Sequence, residues 1–171
     1  MADSRLPLPA VVDPLSQITP VLLTYNEEAN IARTLDGLRW AKRIVVVDSG
    51  SSDRTLELLA SHPQVELLTR RFDSHATQWN HGVDQVRTPW ALCLDADYRV
   101  TPDLRAELEQ LLSGDVRSID GLIMSFRYLV YGRPLRRCVY PAKVVMFRPD
   151  RCRYIDDGHT QLLNINGPTL T

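Results

Sequence analysis

The sequence predicts an α/β fold, with a mostly parallel central sheet flanked by helices and a β-rich C-terminal half. Three observations point there. Short β-branched apolar runs alternate with helix-period segments as far as Gly114, the pattern of strand, crossover helix and parallel strand. The richest run, Arg43-Ile-Val-Val-Val-Asp48, is apolar at consecutive positions, as a strand buried on both faces requires. Beyond Gly114 the helical period gives way to extended segments separated by Gly132-Arg-Pro134 and Arg148-Pro-Asp150 turns.

The elements follow in order. Ile18 to Thr24 is the first strand and runs into Tyr25-Asn-Glu-Glu28. Residues 29–40 carry Ile31, Leu35 and Leu38 on one helical face. After the 43–48 strand, Ser49-Gly-Ser-Ser-Asp53 is turn chemistry and offers Ser52 or Asp53 as the N-cap of a helix reaching residue 60. Val65 to Thr69 is the third strand, 74–86 a helix, and 90–94 a fourth strand leading into Asp95-Ala-Asp97. Thr101-Pro102-Asp103 joins an N-cap, a proline at the first helical position and an acid, and starts a helix that ends near Ser113-Gly114. In the second half, 121–131, 143–148 and 154–165 read as strands.

A chain of 171 residues holds one domain with a sizeable core. We expect a flexible leader over 1–17, rich in proline, and a single domain over 18–171, divided into an alternating half (18–114) and a β-rich half (115–171). Hydrophobic residues at 44% and charged residues at 24% are the composition of a soluble globular protein. The net charge of -1 argues against a nucleic-acid partner, and a phosphate ligand would have to be neutralised locally, by a metal or a few placed cations. Cys93, Cys138 and Cys152 form no C-x-x-C pair and are odd in number, so reduced thiols in a cytoplasmic compartment are expected. No apolar run reaches the ~20 residues of a membrane-spanning helix, and 1–17 lacks a signal-peptide core.

In such a sheet, ligands bind beyond the carboxyl ends of the strands. Glu27, Asp48, Asp95 and Asp97 all follow predicted strands, so the topology gathers them at one edge. Asp95 and Asp97, two apart in an extended segment, would face the same way and offer hard oxygen ligands to Mg²⁺ or Mn²⁺. A cation there can bridge the phosphates of a nucleotide sugar as the diphosphate leaves. The same pair also fits a simple turn before a helix. Asp48 reads either as an acceptor for base or ribose donors or as a loop and capping acid. Tyr25 can stack on a base and Glu27 can accept from ribose or base, or residues 26–28 are a helix start with favourable dipole charges. His75 and His81 are spaced unsuitably for a helical metal pair. Arg136, Arg137, Lys143 and Arg148 either meet phosphate or an anionic acceptor, or form a solvated basic edge.

Four ordered stretches, Thr-Tyr-Asn-Glu-Glu-Ala-Asn-Ile, Ile-Val-Val-Val-Asp-Ser-Gly-Ser-Ser-Asp-Arg-Thr, Gln-Trp-Asn-His-Gly and Leu-Cys-Leu-Asp-Ala-Asp, together resemble the family 2 glycosyltransferases of the GT-A fold. The resemblance spans residues 18–161 and is nearest the lipopolysaccharide core and cell-wall glycan branch; it implies that 18–114 is the nucleotide-sugar-binding half and 115–171 the acceptor half of a single glycosyltransferase domain. It implies an inverting hexosyltransferase that moves a sugar from a nucleotide-diphosphate sugar, a UDP-sugar first, to a hydroxyl of a glycan or lipid-linked acceptor. It implies that Thr24, Tyr25, Glu27 and Asp48 line the nucleoside pocket. Asn80 would lie near the donor, and Asp95 and Asp97 would handle ribose, diphosphate and Mg²⁺ or Mn²⁺, with Asp97 the more direct ligand. Tyr140-Pro-Ala-Lys-Val-Val-Met-Phe-Arg148 and Asp156-Asp-Gly-His159-Thr also resemble this branch, although Thr160 replaces its usual glutamate and Tyr98 stands where a further acid is common.

For an inverting transfer the base candidates are Asp157 and Asp156, with His159 as a metal or phosphate ligand or an alternative base. Asp156-Asp-Gly158 also reads as a plain turn. A cytoplasmic location with peripheral contact at the inner face of the membrane follows from a lipid-linked acceptor.

Rival classes fare less well. A nucleotidyltransferase would carry a glycine-rich loop after the first strand, where this chain has Thr-Tyr-Asn-Glu-Glu, and a nicotinamide enzyme would carry G-x-G-x-x-G. The remaining alternative is a truncated or inactive transferase domain that binds nucleotide or a partner without turnover, because the chain stops soon after His159.

Overall fold

The computed structural model describes residues 13–130, 132–136, 141–158 and 161–171. The N-terminal half alternates as the sequence predicts: β1 (Ile18–Thr24), α1 (Ile31–Asp36), β2 (Ile44–Asp48), α2 (Thr55–Ala60), β3 (Val65–Thr69), α3 (His75–Val83), β4 (Trp90–Asp95) and α4 (Pro102–Leu112). Then come β5 (Gly121–Met124), β6 (Leu129–Val130), β7 (Arg133–Pro134), β8 (Lys143–Phe147), β9 (Arg153–Asp156), β10 (Gln161–Asn164) and β11 (Thr169–Leu170). The main sheet has the order β11-β5-β8-β4-β1-β2-β3. Strands β1 to β4 run parallel, whereas β8 is antiparallel to both β4 and β5.

Strand alternation sorts the core into two layers. Leu22, Val46, Leu92 and Met146 face α1, α2 and α4, where Ile31, Leu35, Leu59, Leu108 and Leu112 meet them. Val21, Val45, Ala91 and Phe147 face the other way, onto Trp79 and Val83 of α3 and onto Tyr154 and Leu163 of the β9–β10 hairpin. Both faces of β2 are therefore buried, which is why its apolar run is unbroken.

Several boundaries differ from expectation. The segment expected to be a leader is already folded at residues 13–17: Asp13 accepts from Leu15 N at 3.0 Å, a 3-10 helix covers Pro14–Gln17, and Leu15 is buried. Helix α1 stops at Asp36 rather than residue 40, although Leu38 remains in the core. Gly37 lies so close to the loop before α4 that a Cβ there would come within 2.9 Å of Val100 O. Neither Ser52 nor Asp53 occupies the N-cap of α2; Arg54 does, without a side-chain cap bond, and Asp53 instead accepts from Thr55 N at 3.0 Å. The expected strands over 121–131 and 154–165 are each broken. The first divides into β5 and β6, and the second is the antiparallel β9–β10 hairpin, with Asp156 opposite Gln161 and Gly158 at φ +73° after β9.

Helix α3 packs tightly on the sheet. A Cβ at Gly82 would come within 2.6 Å of Val21 Cγ1 and 3.0 Å of Val47 Cγ2. Gly82→Ala should therefore destabilise the domain by about 1–3 kcal/mol, since small-to-large changes in a packed layer force displacement. Urea unfolding checks this, and an unchanged midpoint would contradict the close approach.

Candidate active site

The parallel register brings together residues far apart in sequence. Thr24 lies beside Asp48, Asp48 beside Thr69, and Leu23 beside Asp95. Thr24, Asp48 and Asp95 thus share the carboxyl rim of the sheet, and the loops after β1, β2 and β4 leave from it.

Asp48 builds that rim from inside. It is fully buried, and its Oδ2 accepts from Thr24 Oγ1 at 2.9 Å and Ser51 Oγ at 2.5 Å. Its Oδ1 accepts from Gly50 N at 2.9 Å and Ser51 N at 2.8 Å. These donors match the lone-pair capacity of a carboxylate, which is how a buried acid is accommodated. Of the two readings of Asp48, the structure displays the loop-building one.

The first two rim loops are laced to each other. Asn26 stands at φ +55°, a conformation asparagine tolerates. It receives Ser52 N on Oδ1 at 2.8 Å and gives its own N–H to Ser51 Oγ at 2.9 Å. Glu27 N donates to Thr55 Oγ1 at 2.7 Å, Glu28 N to Asp53 Oδ2 at 3.1 Å, and Arg54 N to Glu28 Oε2 at 3.0 Å. Partial burial pushes the Asp53 carboxyl up, but hydrogen bonds from Thr55 and Glu28 outweigh it and hold the group below its ordinary value. On this platform the Tyr25 side chain is exposed, at 61%, and open to stacking. Glu27 is half-buried and accepts from Asn30 Nδ2 at 2.9 Å.

Asp95 and Asp97 do not sit on one extended face as expected. Strand β4 ends at Asp95, and Ala96-Asp97 form a turn closed by Tyr98 N donating to Asp95 O at 3.0 Å. Ala96 is buried and its carbonyl accepts from Thr34 Oγ1 at 2.6 Å, while Asp97 projects into solvent and Asp95 is half-buried. The Tyr98 hydroxyl bonds the Asp95 carboxylate; burial, then the Asp95 charge, push this phenol well above its ordinary value, so it stays a donor at neutral pH. Among the described residues no group of three or more His, Cys, Asp and Glu side chains could cage a metal. Two carboxylates on a rim suit a cation such as Mg²⁺, which keeps waters and takes phosphate oxygens rather than a full protein cage.

Asn80 is committed to the hairpin. Its Nδ2 donates to Tyr154 O at 2.8 Å and its Oδ1 accepts from Tyr154 N at 3.0 Å, so one amide docks β9 onto α3. The Tyr154 ring stacks on Trp79 with centroids 5.7 Å apart and meets Phe147 edge-on at 5.5 Å. Its hydroxyl bonds Cys93 and faces Asp95; burial first, then the neighbouring Cys93, raise its pKa far above the ordinary value. Gln78, fully buried, reaches Ser49 Oγ at 3.0 Å and Arg70 O at 3.1 Å. The Gln78-Trp79-Asn80 run is thus a docking device for the rim and the hairpin. Sequence reasoning missed Tyr154, a lone aromatic in a short strand that carries no signal of its own, and held Gln78 only as part of the Gln-Trp-Asn-His-Gly stretch, without a role.

Asp156 and Asp157, at the exit of β9, are both exposed. His159, Arg137 and Cys138 lie outside the described residues, whereas Cys93 and Cys152 are free and buried. Burial pushes the Cys152 thiol up to about 11. Arg148 is part of the framework: it donates to Ile119 O and Val116 O, each at 2.8 Å, and lies 4.4 Å from the Trp90 ring centroid.

The family model for glycosyl transferase family 2 matches residues 20–162. The chain belongs to glycosyl transferase family 2. It is 28% identical over 124 residues to the lipopolysaccharide core biosynthesis glycosyltransferase LpsC of Rhizobium meliloti, covering 70% of this chain and 46% of that protein. It is 35% identical over 102 residues to the poly-beta-1,6-N-acetyl-D-glucosamine synthase of Staphylococcus aureus, covering 54% of this chain and 24% of the synthase. The chain thus spans less than half the length of these relatives.

Solved structures of similar fold include the mannosyltransferase PcManGT from Pyrobaculum calidifontis in complex with GDP-Man and Mn²⁺ (TM-score 0.55, 20% identity, 72% of this chain and 40% of that one). Another is S. aureus TarS in complex with UDP-GlcNAc (TM-score 0.55, 20% identity, 70% and 37%). The fold of this family 2 domain is therefore GT-A, as expected.

In this family 2 domain, replacing Asp48 tests the rim directly. Asp48→Ala should cost about 1–3 kcal/mol, because it strands the Gly50 and Ser51 N–H groups. Asp48→Asn should cost distinctly less, because the Thr24 and Ser51 hydroxyls can rotate to accept from the new amide. Equal losses in chemical denaturation would contradict this arrangement.

Proposed function

We propose that this chain carries the donor site of a transferase that moves a sugar from a nucleotide-diphosphate sugar, a UDP-sugar first, to a hydroxyl of a glycan or lipid-linked glycan, with inversion. The observation that carries the proposal is the register of β1 with β2 and β4, which sets Thr24, Asp48 and Asp95 on one rim beside the exposed Tyr25 and Asp97. In this reading residues 18–114 bind the nucleotide sugar and 115–171 form the acceptor side. Family membership supports sugar transfer; the metal, the stereochemistry and the acceptor are parts of the proposal.

Each residue then has a task. Tyr25 stacks on the base, and Glu27 accepts from the nucleoside. Thr24 and Asp48 act through the loops they hold, giving the nucleoside a rigid floor. Asn80 acts in the same way, by fixing β9. Asp95 and Asp97 would hold Mg²⁺ or Mn²⁺, which supplies positive charge against the departing diphosphate. The Tyr98 hydroxyl orients the Asp95 carboxylate. The acceptor oxygen attacks the anomeric carbon from the side opposite the diphosphate, and the bond to the diphosphate breaks with its electron pair leaving on phosphate oxygen. The acceptor proton passes to Asp157, with Asp156 next to it and His159 as the alternative base or as a metal or phosphate ligand.

Among the described residues no helix is long and apolar enough to cross a membrane. A cytoplasmic protein meeting its acceptor at the inner face of the membrane is consistent with this reading.

UDP with Mn²⁺ should raise Tm. At a hundredfold excess over Kd the linkage is about 2.7 kcal/mol, a rise on the order of 5–10 °C for a domain of this size. Chelation by EDTA or Asp97→Ala should remove the rise, and unchanged stabilisation in Asp97→Ala would place the cation elsewhere. Asp157→Asn should keep the rise and lose transfer, so a fully active variant would move the base to Asp156 or His159. Metal-dependent UDP binding with no turnover of any nucleotide sugar would favour a domain that binds without catalysis.

A further inference from the structure

Six of the chain's 20 cationic residues and none of its 21 acidic ones fall between positions 121 and 149. The middle of this stretch is a ribbon. Leu129 pairs with Pro134 and Val130 with Arg133, and Leu135 N donates to Tyr128 O at 2.8 Å. Residues opposed in an antiparallel pair share a face, so Leu129 and Pro134 mark one face and Val130 and Arg133 the other. Both faces are open: Leu129 is 62% exposed, Val130 49% and Leu135 42%, with Arg127, Arg133 and Arg136 exposed beside them. A two-stranded ribbon whose described strand residues are all exposed is marginal in water, and apolar side chains clustered in the open mark an interaction surface.

The ribbon rises next to the Asp95–Tyr98 turn. Phe126, just before it, lies against Tyr98 with centroids 5.0 Å apart, and Lys143 Nζ sits 5.5 Å and 5.6 Å from the two ring centroids.

We propose that the β6–β7 ribbon docks the protein onto an anionic lipid bilayer. Leu129, Val130 and Leu135 enter the interface while Arg127, Arg133 and Arg136 lie against lipid phosphates. The combination of chemistries selects this occupant. A soluble polyanion would engage the arginines and leave the leucines in water. An apolar groove on another protein would cover the leucines and leave a block of like charge unpaired. A bilayer surface offers negative headgroups directly over hydrocarbon and satisfies both. The docking rests on the ribbon alone; that it also brings a lipid-borne acceptor to the Asp95–Asp97 rim rests on the transferase reading.

The test is sedimentation of the full chain with vesicles of phosphatidylcholine, with and without phosphatidylglycerol. Binding is expected to the anionic vesicles only, and should weaken as salt rises. Arg133→Gln with Arg136→Gln should lower the partition coefficient by roughly tenfold or more, and Leu129→Ser with Val130→Ser should also lower it with the charge intact. Equal binding to both vesicle types, no binding, or binding that survives both pairs of substitutions would overturn the proposal. So would a dimer in solution that Leu129→Ser dissociates, which would assign the ribbon to a second copy. Heparin binding without vesicle binding would likewise assign it to a soluble polyanion. Loss of docking with Mn²⁺-dependent UDP stabilisation intact would leave the donor-site reading untouched.

Discussion

The structure depends on the pairing of β1 with its two parallel neighbours. With both faces of the central strands buried, a slip of one residue would turn a core layer over, so the register is held by packing rather than by any rim residue. That register sets Leu23 beside Asp95 and Thr24 beside Asp48. Residues 24 and 72 positions apart in sequence then meet without needing to attract one another. The rim is the consequence of a core built for stability.

The polar residues of the rim divide the labour. Asp48, Thr24, Gln78 and Asn80 spend their hydrogen bonds inward, on the loops and on the hairpin. Tyr25, Asp97, Asp156 and Asp157 are turned outward. The inward set supplies rigidity, because each partner that is satisfied inside removes an alternative loop conformation. The outward set is free to meet a ligand. Asp95 lies between the two, half-buried and bonded by the Tyr98 hydroxyl.

Legibility in the sequence follows the same division. β1 and β3 were readable with their bounds, and α4 nearly so, because period and cap agree: Thr101 Oγ1 does accept from Leu104 N, at 3.2 Å. The parallel run of the first four strands could be inferred from alternation with helices, but not their order in the sheet. The β9–β10 hairpin was not inferred, although Asp156-Asp-Gly158 offered a turn: the adjacent apolar pairs Tyr154-Ile155 and Leu162-Leu163 give no period-two alternation that would bound two short strands. The facing of Asp95 and Asp97 was misjudged because the strand was taken to continue, whereas a turn starts at Ala96. For Asn80 and Asp48, residue type alone could not tell a ligand contact from an internal bond. An amide that fits a nucleotide equally fits the backbone of Tyr154, and only tertiary placement separates the two.

The central claim is that a divalent cation and a diphosphate meet at the turn after β4, on a platform made by the loops after β1 and β2. Anomalous diffraction at the manganese edge, from crystals grown with UDP and Mn²⁺, tests it most directly. The account predicts a peak coordinated by Asp97 and by oxygens of the diphosphate, with the base beside Tyr25. A peak at another place on the surface, or ordered UDP with no manganese near Asp95 and Asp97, would contradict it.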